Sequence, residues 1–235
     1  MTRRSTPGLH PAEIPFTAED QTAIAIVDPR RALTYSEFGG EVLEMAAGLA
    51  ARGVVRHRVV GTVLSDRIEV ASVMFAAWQL GAAFSPLSPR LDPEEAGRRV
   101  AGLSPALVVV DDSSTELPAG PPQVHVERLA APGGQPPRTE LQLTDAALVA
   151  WPAGREHGST AGVVHHAAAA ALLWHAARPG AALATHVPSL SCAEDLLAHL
   201  CATLAVGGTV LIGGAGAQRP SRTQSEKSAH MPDAR

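Results

Sequence analysis

Lysine is nearly absent from this sequence of 235 residues. Of its 19 basic residues, Lys227 is the only lysine, and all the others are arginines. The 23 acidic residues bring the formal net charge to -4 at pH 7 with neutral histidines. We therefore expect neither a nucleic-acid partner nor an anionic membrane partner, because the chain has no excess of positive charge to attract them.

Aromatic residues are also scarce, at 3% of the chain, although 46% of the residues are hydrophobic. This composition predicts a core built mainly from Ala, Val and Leu, and it excludes wholesale disorder. The two cysteines, Cys192 and Cys201, would lie about 13 Å apart on a helix, which is too far for a disulfide. No Cys/His spacing typical of a zinc site is present, so we predict free, buried thiols and no metal ligands.

Long hydrophobic segments are missing as well. The longest apolar run, residues 167–177, is interrupted by His175 and is too short to span a bilayer. The N-terminal residues MTRRSTPG have two arginines but no apolar segment after them, unlike a secretory signal. We therefore expect a soluble protein of the cytoplasm.

Short apolar runs alternate with helix-like segments along most of the chain. Thr34 and Glu37 have the spacing of a capping box, which predicts a helix that ends near Gly53. Further helices are predicted to open at Asp66 and at Asp92. Two more are predicted over residues 163–177 and 192–205, and strands at residues 22–27, 59–64, 83–86, 106–111, 123–126, 146–151, 183–187 and 209–212. This order predicts an α/β fold with one largely parallel sheet and flanking helices.

Two terminal segments lack this alternation. Residues 1–21 are polar and rich in proline, which predicts a flexible lead-in. Residues 214–235 have no apolar face, so we predict a disordered tail. The predicted domain is therefore residues 22–213. Within it, residues 113–141 are rich in Pro and Gly and are expected to be its least ordered internal segment.

Several motifs of this domain occur in a characteristic order. They are LTYSE at residues 33–37, RVVG at 58–61, WQLGAAFSPLSPR at 78–90, LDPEE at 91–95, SPALVVV at 104–110 and AVGGTV at 205–210. In order and spacing they resemble the N-terminal part of adenylate-forming (AMP-binding) enzymes, which include acyl-CoA synthetases and the adenylation domains of nonribosomal peptide synthetases. The likeness runs over about residues 22–213 and implies a truncated domain with the α/β fold of that family's N-terminal subdomain.

The family binds ATP with a Ser/Thr/Gly-rich phosphate loop, typically YTSGTTGRPKGV. The corresponding residues 151–163 read WPAGREHGSTAGV. The resemblance implies that a helix follows the loop, so that glycines and helix N-terminal amides approach the phosphates. The family's lysine position is occupied by Ala161, and Glu156 would oppose a triphosphate. The predicted remnants of the phosphate site are Gly154, Gly158, Ser159, Thr160 and Gly162.

Candidate remnants of the substrate pocket are His166, Ser191 and Glu194. Residues 189–195 (SLSCAED) resemble the amino-acid-activating pattern SLSFDAS, in which an Asp holds the substrate amine. Alternatively, residues 187–193 correspond to the acyl-pocket pattern LPLFHVFG without its Phe and His. We predict no catalytic residue in this chain.

The resemblance implies ATP-dependent activation of a carboxylic or amino acid, with ATP and Mg²⁺ as cofactors and a carrier thiol as acceptor. The family's loop lysine and its C-terminal catalytic domain have no counterpart here. We therefore predict a truncated, catalytically impaired homologue of acid-activating ligases. The alternative is a non-catalytic module that binds a protein partner, or a decayed gene product that binds no ATP.

Overall fold

The computed structural model of the chain describes residues 10–114, 117, 120–151, 161–176 and 184–213, apart from the side chains of residues 174–176. Within these residues the strands form two sheets, where the sequence predicts one. Most strand pairs are parallel, and helices flank the sheets, which confirms the predicted α/β class.

The smaller sheet has four strands in the order β2-β1-β10-β9. They are β1 (Ile24–Val27), β2 (Ala32–Thr34), β9 (Ala184–Val187) and β10 (Thr209–Ile212). The larger sheet has six strands in the order β6-β5-β3-β4-β7-β8. They are β3 (Val59–Val63), β4 (Ala83–Leu87), β5 (Leu107–Val110), β6 (Gln123–His125), β7 (Ala146–Ala150) and β8 (Gly162–His165). Only the β1–β2 and β7–β8 pairs are antiparallel among these strands.

The helices lie between the sheets and on the far face of the larger sheet. They are α1 (Tyr35–Ala50), α2 (Ile68–Gln79), α3 (Pro93–Leu103), α4 (His166–Ala176) and α5 (Ala202–Ala205). A π-helix, Asp195–Cys201, runs directly into α5, and single 3-10 turns are formed by Pro11–Phe16 and Val126–Arg128. Cys192 and Cys201 are free, as predicted; Cys201 is buried as expected, whereas Cys192 is only half-buried.

The layer between the sheets holds most of the core. α1 packs against β1, β2 and α2, and α2 packs in turn against β4. Every residue of α2 except Gln79 is buried. The rings of Phe38, Phe75 and Trp78 meet edge to face in this layer, at centroid distances of 5.8 and 5.3 Å. α3 covers the opposite face of the larger sheet, where Val100 and Leu103 join its valines and leucines.

Local capping signals predict the starts of α1 and α3 correctly and the start of α2 wrongly; at α3 the Asp92 side chain accepts from the Glu95 amide at 2.9 Å. The Thr34 amide donates to Glu37 Oε2 at 2.8 Å and the Glu37 amide donates to Thr34 Oγ1 at 3.2 Å, so α1 begins with the predicted capping box. α2 begins at Ile68 and has no side-chain cap. The predicted cap, Asp66, instead accepts a hydrogen bond from the Leu190 amide at 2.8 Å.

The predicted helix over residues 163–177 begins later than expected. Residues 162–165 form β8, in which Val163 pairs with Val149 and Val164 pairs with Leu148. α4 therefore starts at His166. The β-branched pair Val163–Val164 favours a strand over a helix. Hydrogen bonds to the partner strand β7 stabilise this strand.

Two segments expected to be loose pack against the core. Ala12, Ile14 and Pro15 are buried within the 3-10 turn that precedes β1. In the segment after β5, Leu129 is buried and the Ala131 amide donates to the Glu44 carbonyl of α1 at 3.0 Å. The predicted domain boundaries stay a prediction, and the predicted tail lies outside the described residues.

Candidate functional site

Charged side chains gather where several parallel strands end. Arg67 follows β3, Asp111 follows β5, Glu127 follows β6 and Asp28 follows β1. Arg67, Asp111 and Glu127 thus lie at the carboxyl edge of the larger sheet, and Asp28 lies at the carboxyl end of β1 in the smaller sheet. Ligands of open α/β folds bind outside the carboxyl ends of the strands. We use the name edge cluster for Asp28, Arg30, Arg31, Glu41, Arg67, Glu69, Asp111 and Glu127.

Arg67 and Glu69 form the buried centre of the edge cluster. Arg67 Nε and Nη2 donate to the two carboxylate oxygens of Glu69 at 2.7 and 2.9 Å, and Nη2 also donates to Glu127 at 3.0 Å. The hydrogen bonds to Glu69 raise the pKa of Arg67. Burial alone would raise the pKa of Glu69, but the hydrogen bonds and charge of Arg67 outweigh burial and lower that pKa. Both groups are therefore ionised at neutral pH.

The Asp111 carboxylate is fully engaged by its neighbours. One oxygen accepts from the amide and hydroxyl of Ser65 at 3.1 and 2.8 Å, and the other accepts from the amide and hydroxyl of Ser113 at 2.9 and 2.5 Å. Burial would raise the pKa of Asp111, but these hydrogen bonds hold it below its usual value. Asp111 therefore fixes the turns after β3 and β5 and is not free to bind a ligand.

The edge cluster as a whole is acidic. Arg30 Nη2 lies 2.9 Å from Glu69, and Arg31 lies 2.7 Å from Glu41 and 3.0 Å from Glu69. Three guanidinium groups thus face five carboxylates, namely Asp28, Glu41, Glu69, Asp111 and Glu127. Such a cluster repels a polyphosphate unless cations are added. Sequence reasoning missed it, because its members come from five separate segments.

The phosphate-loop counterpart begins and ends on adjacent antiparallel strands. Trp151 follows β7, and the guanidinium carbon of Arg99 lies 5.2 Å from its ring centroid. Ala161 is exposed and immediately precedes β8, whose first residue Gly162 pairs with Ala150. The predicted helix N-terminus directly after the loop is therefore wrong, since β8 comes first. The remaining predicted phosphate residues, Gly154, Gly158, Ser159 and Thr160, lie outside the described residues, as does Glu156.

Two of the predicted substrate-pocket residues follow β9: Ser191 lies in the turn after this strand, and Glu194 lies at the start of the next helix. The Ser191 amide donates to Ser189 Oγ at 3.2 Å, and their hydroxyl oxygens are 2.9 Å apart. The Leu190–Asp66 hydrogen bond ties this turn to the carboxyl end of β3. Glu194 is exposed and immediately precedes the π-helix. Their role in substrate binding stays a prediction.

The third predicted pocket residue, His166, lies at the opposite edge of the larger sheet. Its amide donates to the carbonyl of Asp145, which precedes β7, at 3.0 Å. β7 runs parallel to β4, and β4 to β3, so Asp145 marks the amino edge whereas Asp66 marks the carboxyl edge. The His166 side chain is fully buried. The structure therefore does not bring His166 together with Ser191 and Glu194, and it gives His166 no surface for a substrate.

The described residues do not fit an ATP–Mg²⁺ site as they stand. Ala161 offers no charge, and the edge cluster carries more negative than positive groups. Among the described residues, no group of three or more His, Cys, Asp or Glu side chains could hold a metal ion.

In the same part of the chain, no helix has the length and apolar character needed to cross a membrane.

Comparisons with known proteins agree with this architecture. The family model described as AMP-binding enzyme matches residues 16–168. A 4-chlorobenzoate–CoA ligase of an Arthrobacter species is 37% identical over 75 residues, which are 31% of this chain and 14% of the ligase. The first curated relatives are thus matched over only 10 to 14% of their length.

Solved structures show the same fold over most of the chain. The N-terminal domain of FACL13 from Mycobacterium tuberculosis has a TM-score of 0.75 at 18% identity, over 86% of this chain and 56% of that one. The N-terminal subdomain of Klebsiella oxytoca NpsA has a TM-score of 0.72 at 18% identity, over 86% of this chain and 53% of that one. At such identities the likeness shows the fold alone.

Proposed function

Because the chain belongs to the AMP-binding enzyme family, we propose that it is a catalytically impaired homologue of ATP-dependent carboxylic acid-activating ligases. By itself it forms no acyl adenylate. Ala161 carries this proposal: it stands at the family's lysine position, is exposed, and presents only a methyl group.

The missing lysine weakens binding of the phosphates directly. A hydrogen bond from a cation to a charged oxygen contributes about 1.5–3 kcal/mol. Its loss lowers affinity about ten- to a hundredfold. The edge cluster does not compensate, because each of its guanidinium groups is already paired with carboxylates.

The proposal includes the ligands that the family uses. ATP with Mg²⁺ would be bound weakly or not at all, and a carboxylic or amino acid would be the second ligand. Ser191 and Glu194 are the residues that would face that acid, and a carrier thiol would be the acceptor in an active relative. We place the chain in the cytoplasm, where these ligands occur together.

The direct test is ATP–pyrophosphate exchange with a panel of carboxylic and amino acids, together with ATP titration calorimetry with and without Mg²⁺. The Arthrobacter 4-chlorobenzoate–CoA ligase, assayed with 4-chlorobenzoate, is the positive control. We expect no exchange above background for this chain. Exchange with any acid, or ATP binding at micromolar affinity, would contradict the proposal.

A non-catalytic binding module is the second candidate, and the long-range polar contacts favour it over a decayed gene product. Arg56 makes two hydrogen bonds, of 2.9 and 2.8 Å, to Asp145, which is 89 residues away in the sequence. Random decay would not preserve such complementary pairs. A cooperative thermal unfolding transition is expected, whereas a gradual transition without a heat-absorption peak would favour decay.

A further inference from the structure

Two histidines are stacked at the base of the β7–β8 hairpin. His10 precedes the 3-10 turn Pro11–Phe16, and His166 is the first residue of α4. Their ring centroids are 4.2 Å apart with the planes tilted by 46°. Trp78 contacts His166 edge to face at a centroid distance of 5.1 Å. The 3-10 segment also packs against α1 and α2, and its preceding residue His10 meets the start of α4 through this imidazole–imidazole contact.

The hydrogen bonds of His10 require its neutral form. Its Nδ1 accepts a hydrogen bond from the Ala12 amide at 3.2 Å, so this nitrogen carries no proton. Nε2 then carries the proton and faces the carbonyl of Gln142 at 3.5 Å. A second proton on Nδ1 would break the contact that caps the 3-10 turn.

The surroundings of His166 disfavour the charged form of its ring. It is fully buried, and neither ring nitrogen has a hydrogen-bond partner among the residues that the structure describes. Burial, followed by the neighbouring His10, lowers the pKa of His166 to about 3. Burial also lowers the pKa of His10. A buried polar group left without a partner in a folded protein calls for an explanation, and proton sensitivity supplies one.

The charged and titratable groups around the two histidines do not restore their pKa values to the usual range. Asp145, which precedes β7, is held by two hydrogen bonds from Arg56, and His57 Nδ1 lies 3.7 Å from the same carboxylate. Glu13 accepts from the His10 amide at 3.2 Å. On β8, His165 uses Nδ1 to donate to the Thr144 carbonyl at 2.8 Å. None of these groups donates to or accepts from a ring nitrogen of His166.

We propose that His10 and His166 form a proton-sensitive latch, which holds residues 10–16 against the base of the β7–β8 hairpin at neutral pH and releases them on acidification. The released segment exposes both imidazoles, which then take up protons. The latch thereby makes the contact at the base of the β7–β8 hairpin depend on pH.

The direction and size of the effect follow from proton linkage. In the closed form the pKa values of His10 and His166 are lowered. The open form therefore binds more protons than the closed form below pH 6.5. The closed form is therefore fully favoured above pH 6.5 and is disfavoured as the pH falls towards 3. One pH unit below 6.5, His166 shifts the opening equilibrium about tenfold, and His10 shifts it in the same direction. At pH 5.0 His166 alone increases opening about 30-fold.

Hydrogen exchange of the full chain, measured by mass spectrometry between pH 7.5 and 5.0, tests the latch. Protection factors of the peptide covering residues 10–16 are compared with those of peptides from β3 and β5. We expect the first peptide to be less protected than the strands at every pH, and to lose at least 30-fold of its protection by pH 5.0. Equal protection in all peptides would mean global unfolding and would overturn the latch.

His166→Phe is the decisive variant. Phenylalanine keeps an aromatic ring in contact with His10 and Trp78, and no side-chain hydrogen bond is lost because the His166 ring makes none with the described residues. In this variant the acid-induced loss of protection in residues 10–16 should be about 30-fold smaller than in the unmodified chain. His199→Gln is the matched control, because it removes an exposed imidazole near Asp195 and should leave the loss unchanged.

A second variant keeps the test decisive if His166→Phe does not fold. His10→Asn preserves a side-chain acceptor for the cap but cannot be protonated. It should reduce the acid-induced loss while protection at pH 7.5 stays within a few-fold of the unmodified chain. A full acid-induced loss in either folded variant would overturn the proposal.

Discussion

Replacing Gly48 by alanine should destabilise the protein strongly, although alanine favours helices. Gly48 is buried in α1, and a Cβ atom there would lie 1.8 Å from the carbonyl oxygen of Leu129 and 2.8 Å from its carbonyl carbon. Real Cβ contacts are essentially never closer than 3.0 Å. The Leu129 carbonyl or α1 must therefore move by more than 1 Å.

The surrounding contacts resist that movement. Arg52 donates to the Leu129 carbonyl at 3.3 Å, and the Ala131 amide donates to Glu44 O in α1 at 3.0 Å. Gly133 also donates its amide to the Glu44 carboxylate at 2.9 Å. Overpacking costs about 1–3 kcal/mol. Two weakened hydrogen bonds add about 1 kcal/mol each, and the helix preference of alanine returns about 1 kcal/mol.

The net expectation is a loss of about 2–4 kcal/mol in the free energy of unfolding, measured by urea denaturation with circular dichroism. Gly40→Ala is the matched control, because Gly40 is exposed in the same helix and a Cβ there meets no atom within 4 Å. It should stabilise by about 0.5–1 kcal/mol. Equal effects of the two substitutions would refute the close approach of α1 to residues 129–131.

Three further predictions concern the edge cluster, the contact between α1 and the turn before β10, and the loop. Arg67→Met should cost about 2–4 kcal/mol in urea denaturation, since it leaves Glu69 buried with only partly exposed arginine partners, and Arg67→Met/Glu69→Gln should cost less. Tyr35→Phe should cost about 1–2 kcal/mol, because the hydroxyl donates to a buried carbonyl at 2.7 Å; an unchanged midpoint would contradict this. Ala161→Lys with Glu156→Thr should improve ATP affinity by calorimetry, up to about ten- to a hundredfold, without pyrophosphate exchange. Pyrophosphate exchange by this double variant would contradict the proposal that the chain by itself forms no acyl adenylate.

The features that sequence reasoning predicts well are those that local chemistry determines. The capping box of Thr34 and Glu37 involves residues three apart, and the structure contains both of its hydrogen bonds. Apolar runs such as residues 106–111 become strands because they are bounded by turn residues on both sides. Their order was enough to predict the α/β class and to support the family resemblance.

Long-range pairing accounts for the predictions that failed. Residues 162–165 border an alanine-rich helix, and only pairing with β7 shows that they form a strand. The role of Asp66 likewise depends on a long-range contact, because its hydrogen-bond partner Leu190 lies 124 residues away. The stacking of His10 on His166 is equally invisible in the sequence, because neither residue lies in a motif that predicts the contact.

The hairpin and the chemistry of its loop are separable in this chain. Pairing of Val149 with Val163 and of Leu148 with Val164 builds the β7–β8 hairpin from apolar side chains that take no part in phosphate binding. Ala161 is exposed at the end of the loop, so the described fold has room for a lysine there and does not require its absence. The apolar residues that form the β7–β8 hairpin are present in this chain, whereas the lysine charge that would contact a phosphate is not. Under the proposed function, such a chain keeps its fold but lacks a lysine contact to the phosphates of ATP. We therefore expect stability and ATP affinity to respond to different substitutions.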